Sequence, residues 1–389
     1  MEILHIENLN FRYPKAEKNT LHNISLNIGQ GDFTVICGAT GCGKTTLLKL
    51  IKNELAPAGE KSGEILYNGK SIDSLSLRES ACAIGFVGQN PDNQIVTDKV
   101  WHELSFGLEN LGVPQNVIRR RVGEMASYFG IQDWFRKKTD ELSGGQKQLL
   151  NLASVMVMQP KVLILDEPTS QLDPIAAADF IATLKKLNTE FGITVLLVEH
   201  RLEDVFPIAD KVLLMENGCA LLYDSPRAVG KNLKKINPEH PMLKGLPSAV
   251  RLYNLLSSDE VCPLTVKEGQ EFFRRNFKRS IDFSDGDKSE YSDKTDMVIE
   301  LKNVWFRYER DLPDILRGVN LKAYRGEIIC ILGGNGTGKT TMLNVISGLN
   351  KPYRGKIKID GKKIKDYKGN SLYRKKLAYL PQNPQTVFL

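Results

Sequence analysis

A nine-residue stretch occurs twice in this chain, and the second occurrence constrains how everything else is read. Gly38-Ala39-Thr40-Gly41-Cys42-Gly43-Lys44-Thr45-Thr46 returns as Gly333-Gly334-Asn335-Gly336-Thr337-Gly338-Lys339-Thr340-Thr341. Upstream, Ile6-Glu7-Asn8-Leu9-Asn10-Phe11-Arg12-Tyr13 returns as Leu301-Lys302-Asn303-Val304-Trp305-Phe306-Arg307-Tyr308. Tyr13 to Tyr308 and Lys44 to Lys339 are both steps of 295 residues, and Gln89-Asn90-Pro91 returns as Gln382-Asn383-Pro384 after a step of 293. So long a period means a duplicated domain and not a solenoid, whose repeats run to roughly 20–50 residues. The first copy continues for well over a hundred residues past Gln89, whereas Leu389 comes just after Gln382. The expected organisation is therefore a complete domain over 1–235, a connecting segment and polar linker over 236–296, and the N-terminal part of a second domain over 297–389. On this reading the chain is a fragment or a truncated product. Within the connection, Pro241–Phe277 mixes apolar and basic residues and reads as helical. Lys278–Asp296 is polar and rich in Ser and Asp, as linkers are.

Composition narrows the class. With 389 residues, two or three domains are expected. A hydrophobic fraction of 41% and a charged fraction of 25% exclude a disordered, collagenous or wholly membrane-embedded chain. No apolar run approaches the roughly 18 residues that span a bilayer, and the N-terminus lacks the basic-then-apolar pattern of a secretory signal. The six cysteines are scattered, which favours a reducing compartment over a disulfide framework or a zinc site. The net charge of +7 is uneven: residues 297–389 hold 18 Lys+Arg and 7 Asp+Glu, or +11, which leaves −4 for the rest. Lys362, Lys363, Lys365 and Lys368 read as a solvated surface loop, and no nucleic-acid partner is expected.

The repeated loops carry the chemistry. Gly38-x-x-x-x-Gly43-Lys44-Thr45 follows a β-rich run, Phe33–Cys37, and opens a helical one, Thr45–Lys52. Glycines let backbone N–H groups turn toward phosphate oxygens, and the helix N-terminus favours the same anion. Lys44 then reaches the β- and γ-phosphates, and the Thr45 hydroxyl faces Mg²⁺. Gly-Lys-Thr stands where dinucleotide binding needs an open Gly-x-x-Gly. Val162-Leu163-Ile164-Leu165 delivers Asp166 and Glu167 at the end of a buried strand, where open α/β sheets place ligands. Asp166 is expected to complete the magnesium shell, and Glu167 to orient or deprotonate an attacking water. Thr194–Val198 is another such strand. Val117–Phe129 and Ile175–Leu187 read as amphipathic helices, so the fold class is α/β with a mostly parallel sheet.

Leu142-Ser143-Gly144-Gly145-Gln146, upstream of that strand, completes a pattern that resembles the ABC ATPases over nearly the whole chain. The resemblance implies a P-loop NTPase fold with an antiparallel β subdomain and a helical subdomain, duplicated here with the second copy truncated. It implies ATP and Mg²⁺ as ligands, hydrolysis, and head-to-tail pairing of domains. Ser143-Gly144-Gly145-Gln146 opens the helix Gln146–Met156 and would cap the γ-phosphate held by the opposite loop. Tyr13 and Tyr308 would stack on adenine. Gln89 and Gln382 would touch magnesium and water, Thr340 would serve the second magnesium, and His200 would contact the γ-phosphate. Ser170-Gln171-Leu172-Asp173 is similar to the loop that crosses the interface, although Gln171 departs from the usual small residue. Gln89–Asp98, Phe106–Asn110 and Glu199-His200-Arg201-Leu202 resemble the fused ATPases of energy-coupling-factor importers. These work at the cytoplasmic side of a membrane with a coupling protein and a substrate-binding protein, and import vitamins, vitamin precursors or transition metals. A sugar-type importer, a soluble tandem ATPase acting on ribosomes, and a nucleic-acid repair or chromosome ATPase are the alternatives. If the second signature is missing, nucleotide should bind but turn over poorly.

Overall fold

The computed structural model of the chain describes residues 2–256, 260–276, 296–367 and 371–381. It divides into two compact units, Met1–Ser280 and Ile281–Leu389. Among its described residues the first unit contains ten strands: β1 (Glu2–Arg12), β2 (Leu21–Gly29), β3 (Phe33–Gly38), β4 (Glu60–Tyr67), β5 (Lys70–Ser71), β6 (Ile84–Val87), β7 (Val162–Asp166), β8 (Thr194–Val198), β9 (Lys211–Glu216) and β10 (Cys219–Asp224). Two sheets result, an antiparallel one in the order β2-β1-β4-β5 and a six-stranded one in the order β10-β9-β3-β8-β7-β6. Within the second sheet β9, β3, β8, β7 and β6 run parallel, and β10 closes one edge antiparallel.

The apolar runs predict this placement. Every residue of β7 and β8 is buried, as strands covered on both faces must be. Alternation then divides them between two cores. Leu163 and Leu165 face the larger one with Leu150, Phe180 and Leu184, whereas Val162 and Ile164 join Ile6, Phe11 and Leu47 beneath the antiparallel sheet.

The helices are α1 (Lys44–Ile51), α2 (Leu77–Ala83), α3 (Val100–Asn110), α4 (Gln115–Tyr128), α5 (Gly144–Met156), α6 (Pro174–Phe191), α7 (Leu202–Val205), α8 (Pro226–Ile236), α9 (Ser248–Leu256) and α10 (Val266–Asn276). Caps set their ends. Asp173 accepts from the N–H groups of Ile175 and Ala176 ahead of Pro174 at the first helical position, and Gly192, at φ 64, stops α6. That helix is longer at both ends than the Ile175–Leu187 periodicity predicts. Residues 240–256 and 260–276 add to the first unit's core: Val250, Tyr253, Cys262, Leu264 and Phe272 are buried in it. Arg227 of α8 grips Glu268 of α10 with two bonds of 2.9 Å.

In the second unit β11 (Met297–Phe306), β12 (Leu316–Tyr324), β13 (Arg354–Ile359) and β14 (Lys362–Lys363) repeat the antiparallel sheet, in the order β12-β11-β13-β14. The register repeats too: Leu4↔Tyr67 and Ile6↔Ile65 become Ile299↔Ile359 and Leu301↔Ile357. Asn8 (φ 49) and Asn303 (φ 47) take the same left-handed step in β1 and β11. Helix α11 (Lys339–Ser347) lies between β12 and β13, and α12 (Ser371–Lys375) follows β14. The counterpart of β3 differs. Val35 is fully buried, but Ile328 is 92% exposed and Leu332 is 89% exposed, and neither lies in a strand. In the first unit β8 and β9 clasp β3 from both sides; among the described residues the second unit has no counterpart of either.

Candidate nucleotide site

The first loop leaves the sheet at Gly38, whose φ of 150 belongs to glycine. A Cβ there would stand 2.3 Å from the Met215 carbonyl oxygen and 2.9 Å from Cys42 Sγ. Gly43, at φ 101, precedes α1 as an N-cap without any side-chain bond, so no side chain of the cap competes for the first-turn N–H groups. Lys44 is buried, and its Nζ donates to the carbonyls of Gly38 (2.9 Å) and Ala39 (3.0 Å). Tyr13 reaches the same helix, its hydroxyl 3.0 Å from Thr46 Oγ1. Its ring stands edge-on to Phe11 and beside a cavity of about 540 Å³ lined by Arg12, Pro14, Lys15, Gly59 and Glu60.

Beside the loop, at the C-terminal edge of the sheet, are the carboxylates. Thr45 Oγ1 donates to Asp166 Oδ1 at 3.2 Å. Burial pushes the Asp166 carboxyl above the ordinary range; the Thr45 bond opposes that rise, and the adjacent Glu167 charge adds to it. Glu167 takes the left-handed conformation, φ 48, which is uncommon outside glycine. Its N–H is tied to the Val198 carbonyl of β8 at 3.0 Å. Its side chain is held at both oxygens, by Gln89 Nε2 at 3.1 Å and by His200 Nε2 at 2.8 Å. Gln89, Glu167 and His200 are thus brought together from three separate elements.

Supporting contacts lie behind these groups. Glu199 is buried; it accepts from Thr169 Oγ1 at 2.7 Å and from the His200 N–H at 3.1 Å, fixing the turn that presents His200. Residues 88–94 are strapped down by side chains to which the sequence pattern assigns no such role. Gln94 bonds the Gly88 N–H and the Phe86 carbonyl, and Gln148 of α5 donates to the Gly88 carbonyl. An acid after the buried run of β8 is the one signal that could have marked Glu199; nothing in the pattern distinguishes Gln94 or Gln148 from surface amides.

The Ser143–Gln146 turn is engaged with itself. Ser143 Oγ accepts from the Gln146 N–H at 3.3 Å, and Gln146 Oε1 accepts from the Ser143 N–H at 3.0 Å, a reciprocal cap on α5. Gly144 and Gly145 follow as its first helical residues, and no bond among the described residues joins this turn to Gly38–Thr46. In the second unit Lys339 repeats the fold-back onto Gly333 (2.7 Å) and Gly334 (2.6 Å), and Tyr308 repeats the approach to Thr341 at 3.4 Å. Thr337 Oγ1 donates to Gly334. Gly336 and Gly338 have φ of 79 and 90. Asn335 lies in the loop, and Thr340 lies in the first turn of α11. Gln382 is outside the described residues.

The Thr45 hydroxyl and the Asp166 carboxylate are oxygen donors in contact, and the Gln89 carboxamide stands against Glu167, next in sequence to Asp166. Among the described residues no cluster of three His, Cys, Asp or Glu could hold a metal by itself. A sparse set of oxygen donors beside a phosphate cradle fits Mg²⁺, which keeps waters and takes its remaining ligands from substrate phosphates.

A phosphate-cradling loop between β3 and α1, with two acids at the end of β7, a parallel strand one place further along the same sheet, defines the nucleotide-hydrolysing P-loop proteins. The ABC transporter family model matches residues 21–170 and 316–388, and this chain belongs to that family of ATP-binding, ATP-hydrolysing proteins. A relative in Bacillus thuringiensis subsp. konkukian, provisionally named an ABC transporter ATP-binding protein, is 41% identical over 98% of this chain and 68% of its own length. A similarly named protein of Methanosarcina mazei is 33% identical over 99% of this chain and 67% of its own. Among solved structures, cbiO1 from Clostridium perfringens, described as part of the ABC transporter complex cbiONQ, is 35% identical and covers 66% of this chain and 99% of its own, with a TM-score of 0.55. The ATP-binding cassette MJ0796, solved as a dimer with ADP and Pi, is 26% identical over 58% of this chain and 99% of its own, with a TM-score of 0.51. Among the described residues no helix is long and apolar enough to cross a membrane.

Proposed function

We propose that this protein energises an importer of the energy-coupling-factor type, in which it hydrolyses ATP at the cytoplasmic face while membrane partners carry a vitamin, a vitamin precursor or a transition metal. The observation that carries this reading is the likeness to cbiO1 along 99% of that protein, itself part of a cbiONQ complex. The surface agrees with a docking role. Val96, Trp101 and Phe106 stand exposed on and beside α3, with Trp101 stacked on His102 and His102 edge-on to Phe106. Exposed aromatics of this kind suit a membrane coupling protein's helices.

In this reading Lys44 exchanges the Gly38 and Ala39 carbonyls for phosphate oxygens, and the N–H groups of Cys42 to Thr46 take up the rest of the charge. Thr45, Asp166 and Gln89 would hold Mg²⁺, which screens the phosphates when bound. Glu167 accepts a proton from the attacking water or fixes its direction. Gln89 and His200 keep that carboxylate aimed, and His200 then donates toward the γ-phosphate as charge develops. Tyr13 and Tyr308 provide aromatic faces for adenine. The Ser143 and Gln146 side chains, here capping α5, turn to a nucleotide brought by a second domain in head-to-tail pairing, and the Thr340 hydroxyl serves the second magnesium.

The test is to tag the protein in its own cells, solubilise membranes in mild detergent and identify what co-purifies. Polytopic membrane proteins in stoichiometric amount support the proposal, and the substrate-binding one points to the cargo. A tag recovered only in the soluble fraction, alone or with ribosomes, overturns it.

A further inference from the structure

The second unit carries a lysine-lined pocket that the ATPase chemistry does not use. Lys351, Lys356, Lys363 and Lys365 surround a cavity of about 450 Å³ whose floor includes Ile357 and Ile364. That volume lies within the roughly 300–1,000 Å³ typical of small-ligand sites. None of the four makes an ion pair among the described residues, although neighbouring lysines do: Lys302 and Lys358 pair with Glu300, and Lys376 with Asp360.

The duplication supplies an internal control. Strand register aligns Lys356 with Glu64 and Lys363 with Ser71, and the single turns after β5 and β14 align Lys365 with Asp73. In the first unit Asp73 accepts from Lys61 at 2.8 and 2.6 Å, so that corner is internally neutralised. The same backbone therefore forms without lysines at these places, and folding does not require them. Between residues 351 and 367 there are seven Lys+Arg and two Asp+Glu; in the matching stretch 56–75 there are two and three. Gathering like charges around one concavity is unfavourable unless an anion shares it, and a concave wall concentrates their field.

We propose that this pocket binds a compact anion bearing several phosphates, such as a polyphosphate or a multiply phosphorylated headgroup. Lysines suit such a ligand because each presents a mobile point charge to any phosphate oxygen. The apolar floor and the cavity's size favour a small ligand over a flat membrane or an extended strand of nucleic acid.

The test uses inorganic tripolyphosphate in metal-free buffer, measured by calorimetry on a Lys44→Ala/Lys339→Ala background that weakens the competing phosphate loops. Saturable binding is expected, falling at least tenfold when Lys356→Glu and Lys363→Glu are added. It should be unaffected by Lys185→Glu/Lys186→Glu on α6. In otherwise wild-type protein, the Lys356→Glu/Lys363→Glu pair should leave ATP affinity within about twofold, which shows that the fold survives. Displacement of tripolyphosphate by vesicles bearing bisphosphorylated inositol headgroups would identify a lipid source, and displacement only by soluble inositol polyphosphates a free one; both support the proposal. Absence of saturable binding overturns it, as does equal loss in the α6 variant. Single-stranded RNA binding that depends on the four lysines, without tripolyphosphate binding, overturns it in favour of a nucleic-acid surface.

Discussion

At the scale of single residues, the arrangement of Glu167 separates two roles that are easily confused. Its carboxylate bonds to Gln89 and His200 but to no part of the phosphate loop. Glu167→Gln is therefore expected to lower ATP turnover by about 10²–10⁴-fold, the usual range for a general base, with ATP affinity little changed. Single-turnover hydrolysis beside equilibrium nucleotide binding measures both. Asp166 gives the opposite signature. Burial raises its pKa, and only the ionised form can hold a cation. Mg²⁺-dependent ATP binding should weaken on acidification at a pH above the ordinary aspartate range, and Asp166→Asn should remove that pH dependence. In the apo protein the same shift favours the protonated fold, a contribution present below the ordinary aspartate pKa and lost as pH rises through the raised one. Most of this was legible because residue type and spacing carry the chemistry: two acids after four apolar residues, a lysine after a glycine. Glu199 was not, because a buried acid bonded to a hydroxyl and a backbone N–H looks in sequence like any strand-ending acid.

At the scale of elements, periodicity located the helices and strands, and capping chemistry set their limits. The Val117–Phe129 pattern became α4 at Gln115–Tyr128 because Pro114 turns the chain in at its start. The run after Ser143 became α5 from Gly144 because the serine caps it. Periodicity cannot see how α8, α9 and α10 pack, because their long-range partners lie far apart in sequence. The Arg227–Glu268 bridge clamps this group. Its hydrogen bonds to Arg227 and to the Leu264 N–H hold Glu268 down at about 2. The sign is the ordinary carboxylate one: stability is present above the unfolded pKa near 4.5 and is lost as pH falls toward 2. Both side chains are more than a third exposed, so solvent screening reduces the contribution to about 1 kcal/mol. Urea denaturation of Glu268→Gln at pH 7 and pH 3 should show that deficit at pH 7 and a smaller one at pH 3.

For the whole molecule, the duplication sets up a contrast between two copies of one segment, a strand in the first unit and outside any strand in the second. Phe33–Gly38 is clasped by parallel neighbours on both edges, whereas 328–332 has no strand partner among the described residues. Backbone amides of Ile328–Leu332 should exchange with deuterium orders of magnitude faster than those of Val35–Cys37 in one experiment on one chain. Equal protection would mean that the second unit builds its own parallel sheet.

The two loops nonetheless agree. Lys339 closes on Gly333 and Gly334 as Lys44 closes on Gly38 and Ala39, although one loop follows a buried strand and the other an exposed segment outside any strand. The cradle is thus a local structure, held in shape by its own lysine. Nucleotide arrival is then expected to be an exchange of partners for an ammonium group already in place, with little chain entropy lost on binding. A loop of this kind can be copied to a new context and keep its closure.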